Sequence, residues 1–171
     1  MNKILKNISL AAVSVGLLAF SGCLPDDSEA FTCGLTPNLS VNQTQLDKDI
    51  EAIDNYLSDN NITAEVHDSG LRYVIDSFGN GVQPNLCNAV SVNYKGSLIS
   101  DGSVFDESNN PVTFPLSNLI TGWQIGIPLV NAGGSITLFI PSVYGYGQAG
   151  AGNNVPPNAN LIFEIDLLQV Q

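Results

Sequence analysis

Aromatic and apolar residues, with few charges between them, dominate the second half of this 171-residue chain. Six of them are Tyr94, Phe105, Phe114, Trp123, Tyr146 and Phe163. The stretches that carry them are bounded by turn signals such as Gly79-Asn80-Gly81 and Asp101-Gly102. Short stretches of alternating apolar and polar residues between such turns are typical of antiparallel strands. The second half of the chain is therefore predicted to form a sheet.

Six stretches predict the strands of this sheet: LRYVIDS, AVSVNYKGSLI, SVFDES, VTFPL, SITLFI and LIFEIDLLQV. We expect Asn109-Asn110-Pro111 to form a turn between SVFDES and VTFPL. The segment SNLITGWQIGI predicts a short helix with Ser117 as its N-terminal cap. A mainly antiparallel sheet with one short helix lying against it is an α+β arrangement.

Five sequence pieces follow one another along this region: NYKG, SVFDES, LITGW, YGYG and VPPNANLIFEIDLL. Their order and spacing closely resemble those of FKBP-type peptidyl-prolyl cis-trans isomerase domains, over roughly residues 71–171. The resemblance implies a twisted half-barrel of five or six strands wrapped on one short helix, in agreement with the strand pattern. We assign residues 63–171 to this domain. The implied activity is cis-trans isomerisation of X-Pro bonds in exported proteins, with no cofactor and no metal.

The resemblance also implies a pocket for the substrate proline. Its catalytic residues would be Asp106, Tyr146 and Trp123, with Trp123 as the floor under the proline ring and Asp106 orienting Tyr94. The other implied substrate-binding residues are Tyr94, Phe105, Phe114, Leu119, Ile120, Val155 and Phe163. Leu119 and Ile120 precede the helix, where a free backbone N–H could hold a substrate carbonyl. Taken singly, each aromatic residue would be interpreted as core; the ordered set favours the pocket.

Two departures from the family pattern keep a second function open. No Lys or Arg lies between Asp106 and Phe114, where relatives often carry a basic partner for the aspartate, and residues 148–154 are rich in Gly and Ala. The alternative is a non-catalytic chaperone or peptide-binding module that uses the same pocket. A third hypothesis is an assembly component in which residues 24–60 dock on a partner. The single histidine, His67, disfavours Ser-His-Asp or Cys-His catalysis and a zinc site.

The N-terminus predicts export. Lys3 and Lys6 precede an apolar run, Leu10–Phe20, and then Ser21-Gly22-Cys23. This is the pattern of a secretory signal, and the run is shorter than the roughly 18 residues of a membrane-spanning helix. A cysteine directly after two small residues resembles a bacterial lipoprotein signal, which implies that residues 1–22 are removed and that Cys23 is lipidated. An ordinary signal peptide with a cysteine nearby is the alternative.

Charge restricts the partners of the exported chain. Without residues 1–22, which hold Lys3 and Lys6 and no acid, the chain has 3 basic and 16 acidic side chains and a net charge of −13. Such a chain repels phosphate backbones, so we expect no nucleic-acid partner. We expect membrane attachment through the lipid anchor only, on the outer membrane of the cell envelope, at its periplasmic face or the cell surface. Proline-containing polypeptides are the implied substrates and macrolides the implied inhibitors.

The segment before the sheet carries two further predictions. Residues 23–41 form an acidic tether, and within it Cys33 is expected to bridge to Cys87, with two unpaired thiols as the alternative. Residues 42–62 predict a helix, capped by Asn42 or Thr44 and ended near Asn60 and Asn61. Its apolar stripe consists of Leu46, Ile50, Ile53 and Leu57. The stripe packs either on the domain of the same chain, giving a monomer, or on a second copy, giving a dimer.

Overall fold

The computed structural model describes residues 32–171. The predictions for residues 1–22, for lipidation of Cys23 and for residues 23–31 of the tether lie outside this part of the chain. Residues 32–42 contain neither helix nor strand. A disulfide joins Cys33 to Cys87, with Cα atoms 5.8 Å apart, and so attaches this segment to the turn before the third strand.

Six strands form one antiparallel sheet in the order β1-β2-β5-β6-β3-β4. Their bounds are β1 Glu65–Val66, β2 Arg72–Ser77, β3 Ala89–Leu98, β4 Val104–Pro115, β5 Gly134–Ile140 and β6 Leu161–Val170. Within the described residues the α-helices are α1 Gln43–Asp59, which precedes the sheet, and α2 Thr121–Gly126, which precedes β5. The α+β prediction, with an antiparallel sheet and one short helix against it, is confirmed.

Two details of the predicted strands were wrong. Residues 103–116 do not form two strands separated by a turn, because β4 is a single strand of 12 residues. The pairing passes from Val92 opposite Val112 to Tyr94 opposite Ser108, so the extra residues of β4 form a bulge. Strand β3 is continuous and pairs with both halves of β4. The pattern of each segment alone does not contain this pairing. The two-residue strand β1 was not predicted.

The predicted cap of the short helix was also wrong. Ser117 lies in a separate 3₁₀ turn, Leu116–Asn118, and α2 begins only after Ile120, which offers no side-chain cap. Leu119 and Ile120 are both extended, with ψ of 170° and 149°, so the helical path is interrupted between the two elements. A second 3₁₀ turn, Ile127–Leu129, continues α2 toward β5.

Helix α2 lies very close to the sheet because two of its residues have no side chain. A Cβ atom on Gly122 would come within 2.5 Å of Ile140 Cγ2, and one on Gly126 within 2.5 Å of Leu138 Cδ1. Leu138 and Ile140 are both fully buried on β5. The main core fills the space between α2 and the sheet, and this arrangement brings Trp123 of α2 over the strands.

Helix α1 is shorter than the predicted range of residues 42–62. The side chain of Asn42 caps its start by accepting a hydrogen bond from the Gln45 N–H at 3.0 Å. Asn61 has a φ of 55°, and this left-handed conformation ends the helix at Asp59. Leu46 packs into the main core, whereas Ile53 and Leu57 pack with Phe139 and Ile162. The apolar stripe is therefore buried against the domain of the same chain.

Candidate active site

A cavity of about 250 Å³ opens between the sheet and α2. The side chains that line it come from three strands, from α2 and from the loops before α2 and after β5. They are Tyr94, Asp106, Phe114, Leu119, Ile120, Trp123, Tyr146 and Phe163. The fold thus brings together eight of the ten residues that the sequence predicts for the site.

Aromatic rings in edge-to-face contact form the wall of the cavity. The Trp123 ring lies 5.1 Å from that of Phe163 at an interplanar angle of 90°, and 5.3 Å from that of Tyr94 at 79°. Edge-to-face pairs at such distances contribute about 0.5–1.5 kcal/mol each beyond the apolar area they bury. Trp123 is 4% exposed, and its Nε1 donates to no acceptor within residues 32–171. The Trp123 ring is therefore held by packing against the neighbouring rings rather than by a hydrogen bond.

Tyr94 and Asp106 form the polar edge of the cavity. The Tyr94 hydroxyl donates to Asp106 Oδ2 at 2.8 Å. Burial, with a smaller effect of Asp106, raises the pKa of Tyr94 to about 12. Burial and the negative charge of Asp106 also raise the pKa of Tyr146 above its ordinary value. Both phenols therefore keep their protons at neutral pH, and Tyr146 can donate a hydrogen bond to a carbonyl inside the cavity.

The backbone before α2 offers donors at Ile120 rather than at Leu119. The Leu119 N–H already donates to the Leu116 carbonyl at 3.2 Å, which leaves the N–H of Ile120 as the free donor expected at this pair. Ile120 is the N-cap residue of α2, and no side chain satisfies the N–H groups of this helix start. The side chains of both residues line the cavity.

Two predicted site residues lie outside the cavity lining. Phe105 is half-buried on β4 and supports the wall edge-on, 5.5 Å from Phe163 and 6.3 Å from Tyr146 between ring centres. Val155 is 4% exposed and belongs to the core. Its N–H and C=O pair with Ala151 at 3.1 and 3.0 Å, so Val155 closes the loop after β5 rather than touching the cavity space.

Sequence reasoning missed two residues that shape the site. Gly96, opposite Asp106 and Phe163 in the sheet, leaves room for two rings: a Cβ there would lie 2.7 Å from Phe105 and 2.8 Å from Phe163. Gln124 holds the segment before α2 by donating from Nε2 to the carbonyls of Leu119 at 2.7 Å and Ser117 at 3.1 Å. The glycine stood within NYKG, but only the strand register shows what it faces.

A larger hollow, of about 500 Å³, lies on the opposite face of the sheet. Most of its lining side chains are polar or acidic, including Ser135, Thr137 and Asp166, and Tyr94 and Ile165 complete the lining. It is polar where the aromatic cavity is apolar. Of these two spaces, the aromatic cavity is the one that suits an apolar ring.

The profile of FKBP-type peptidyl-prolyl cis-trans isomerases matches residues 81–168. The chain belongs to the FKBP family. All ten predicted site residues lie within the matched range. The part of the chain that the structure describes contains no cluster of side chains suited to a metal ion, and none of its helices is long and apolar enough to cross a bilayer.

Sequence relatives include a probable FKBP-type isomerase, FkpA, of Neisseria meningitidis, 47% identical over 105 residues, which are 60% of this chain and 38% of the relative. The isomerase Mip of Coxiella burnetii is 39% identical over 106 residues, 60% of this chain and 46% of Mip. The matched region thus spans less than half the length of these relatives. Among solved structures, Escherichia coli FkpA has a TM-score of 0.65 at 34% identity, covering 75% of this chain and 64% of that one.

Proposed function

We propose that this FKBP-family chain is a peptidyl-prolyl cis-trans isomerase that acts on X-Pro bonds of exported polypeptides. The observation that carries the proposal is the aromatic cavity of about 250 Å³, with Trp123 at its wall and a single carboxylate, Asp106, at its edge. Its lining includes no histidine, cysteine or lysine. The reaction must therefore be one that needs neither a strong nucleophile nor a strong base.

Rotation about an X-Pro bond meets this requirement. Conjugation imposes a barrier of about 18–20 kcal/mol, and uncatalysed exchange takes tens to hundreds of seconds. In the twisted transition state the amide loses conjugation and much of its dipole. An apolar cavity favours this less polar state over the planar amide, which water solvates well, so the cavity binds the transition state more tightly than the ground state.

Named residues would perform this selective binding. The proline ring would lie against Trp123, enclosed by the other rings. The N–H at Ile120 and the hydroxyl of Tyr146 would hold the substrate carbonyls, and preorganised donors of this kind cost no rearrangement during the reaction. Asp106 would fix Tyr94 through their 2.8 Å hydrogen bond and keep the polar edge of the cavity in place.

The test is the cis-to-trans rate of a short X-Pro peptide with protein lacking residues 1–23. We expect a rate well above the spontaneous one, reduced in Asp106→Ala and abolished in Asp106→Ala combined with Trp123→Ala. Asp166→Ala is the matched control, because it removes an exposed carboxylate from the opposite face of the sheet, and it should retain the wild-type rate. A folded wild-type protein with no acceleration would refute the proposal.

A peptide-binding module without turnover is the second candidate, favoured by one observation. Within residues 32–171 the ion pairs are Arg72–Asp54 and Lys95–Glu164, so Asp106 has no cationic partner there and depends on Tyr94 alone. Suppression of client aggregation at full strength by a variant with no isomerase rate would favour this candidate. A wild-type isomerase rate that Asp106→Ala reduces, with aggregation still suppressed only in part, would favour the enzyme.

We further propose that the chain is exported and attached to the outer membrane through lipidated Cys23, on either face of that membrane. The apolar run at residues 10–20 and the small pair before Cys23 support this. Cys23→Ser should move the full chain from the detergent phase to the aqueous phase. Unchanged partitioning would contradict a lipid anchor.

Two proposals concern partners. The apolar cavity suits macrolide inhibitors, and titration of such a compound against the fluorescence of Trp123, the single tryptophan, tests this. We propose a monomer, because Ile53 and Leu57 of the N-terminal helix are already packed on Phe139 and Ile162. A dimer mass in light scattering that returns to a monomer on substitution of these residues would instead favour pairing through the helix.

A further inference from the structure

Asp49 is a buried acid in the middle of the apolar stripe of α1. It is 2% exposed and lies between Leu46 and Ile53, both of which are buried. Within residues 32–171 it has no basic partner at ion-pair distance. Burying a carboxylate without a cation is costly, and an apolar side chain of similar size would dock the helix better. Helix docking alone therefore does not account for an acid at this position.

The side chain of Asp49 accepts hydrogen bonds from one loop and from a glutamine of its own helix. Oδ2 accepts from the Ser142 hydroxyl at 2.6 Å and from the Val143 N–H at 3.4 Å. Oδ1 accepts from Gln45 Nε2 at 2.8 Å, one helical turn away. Ser142 and Val143 open the loop of residues 141–160, which joins β5 to β6.

The other end of this loop meets Asp49 as well. Asn160 Nδ2 donates to the Asp49 carbonyl at 3.4 Å, and Asn160 Oδ1 accepts from the Ser142 N–H at 2.9 Å. One residue of α1 thus touches both the entry and the exit of the 141–160 loop. Asp49 and Ser142 are both buried, so the bond between their side chains is shielded from water, where hydrogen bonds to a charged group are strong.

The loop held in this way carries Tyr146 into the cavity. Only three residues separate Ser142 from Tyr146, and the 3₁₀ turn Ser142–Tyr144 occupies most of that distance. The Tyr144 hydroxyl adds a further bond, to the Ser69 carbonyl at 3.0 Å. We propose that Asp49 is a positioning residue: from the N-terminal helix it fixes the 141–160 loop and so places Tyr146 against the substrate.

The proposal rests on the proposed isomerase function for its effect on rate, and its test also reads the loop directly. In the full chain, Asp49→Ala and Ser142→Ala remove the two sides of the 2.6 Å bond. We expect hydrogen exchange of the amides in residues 143–155 to rise about tenfold in both variants. We expect the X-Pro isomerisation rate to fall about three- to tenfold, because Tyr146 is displaced.

Asp54→Ala is the matched control on the same helix. Asp54 pairs with Arg72 of β2 through two bonds of 2.8 Å, so it also docks α1 but does not touch the loop. It should change the stability of the helix without raising exchange in residues 143–155. Asp49→Asn is the conservative variant, since its amide oxygen can still accept from Ser142 while the Gln45 amide turns. We expect it to restore most of the rate.

Each outcome decides the proposal. Equal loop exchange and equal rate loss in Asp54→Ala would overturn it, because the effect would then follow helix docking in general. Wild-type exchange and rate in Ser142→Ala would also overturn it, and this variant decides the matter even if Asp49→Ala does not fold. If the wild-type protein shows no isomerase rate, the proposed function fails, whereas the exchange measurement still tests the positioning role.

Discussion

Gly96 tests the link between sheet register and pocket geometry most directly. A Cβ atom in Gly96→Ala would lie 2.7 Å from Phe105 Cζ and 2.8 Å from Phe163 Cε1, whereas carbon atoms pack at about 3.5–4.0 Å. Phe105 is half-buried and can move outward. Phe163 is 3% exposed and lies edge-on to Trp123 at 5.1 Å between ring centres. A shift of Phe163 would therefore displace the Trp123 ring at the cavity wall.

The expected cost follows from this overlap. Overpacking of a well-packed interior costs about 1–3 kcal/mol in the free energy of unfolding, which corresponds to a melting temperature lower by roughly 3–10 °C for a domain of this size. A displacement approaching 1 Å at a substrate-positioning ring can reduce a rate by up to about a hundredfold. Because Phe105 absorbs part of the strain, we expect a loss of about tenfold in the X-Pro isomerisation rate.

Thermal unfolding measures the change in melting temperature. The isomerisation rate is compared at a temperature below the melting transition of both proteins. Gly34→Ala is the control, because a Cβ there meets no atom within 4 Å and the backbone is not in the left-handed region. A Gly96→Ala protein that keeps both the melting temperature and the rate of the wild type would refute the inference that Gly96 makes room for these rings.

Two further predictions concern polar and covalent contacts. Tyr94→Phe removes the hydroxyl bonded to Asp106 and should lower stability by about 1 kcal/mol. The raised pKa of Tyr94, about 12 against 10.0, means that the unfolded chain loses this proton first as pH rises. Wild-type stability should therefore decline between pH 10 and 12 by more than that of Tyr94→Phe, and parallel urea-denaturation profiles would contradict this. Reduction of Cys33–Cys87, which are separated by 54 residues, should cost up to about 4 kcal/mol by chain entropy; urea midpoints with and without reductant measure it.

The sequence predicted the sheet well because most strands alternate and end at glycine-containing turns. The prediction of two strands was wrong at β4. There the sequence SVFDES–NNP–VTFPL contains a turn signal, but the residues at this signal form a bulge within one strand. Local signals favour a turn at Asn109-Asn110-Pro111, but β3 pairs with residues on both sides of it. Pairing between distant segments outweighed turn propensity there, and no single-segment pattern contains that information.

The sequence likewise predicted some features of the site and not others. Its aromatic residues were predictable because the family pattern fixes their order, and eight of the ten predicted residues line the cavity. Val155 lies in the core and the Leu119 N–H is bonded to Leu116, because side-chain direction and backbone pairing depend on three-dimensional packing. Gly96 was missed because it acts on the rings of Phe105 and Phe163, which are distant in sequence. Gln124 was missed because it bonds backbone carbonyls, which no residue pattern reveals.

Asp49 extends this argument beyond the family region. The family match begins at residue 81, yet the loop that carries Tyr146 is held at both ends by a residue of α1. In the sequence, Asp49 looks like an ordinary polar residue beside an apolar stripe, because its partners, Ser142 and Asn160, lie about a hundred positions away. The N-terminal helix is therefore part of the structural unit that forms the site, and removing it should disturb the loop even though every cavity-lining residue would remain.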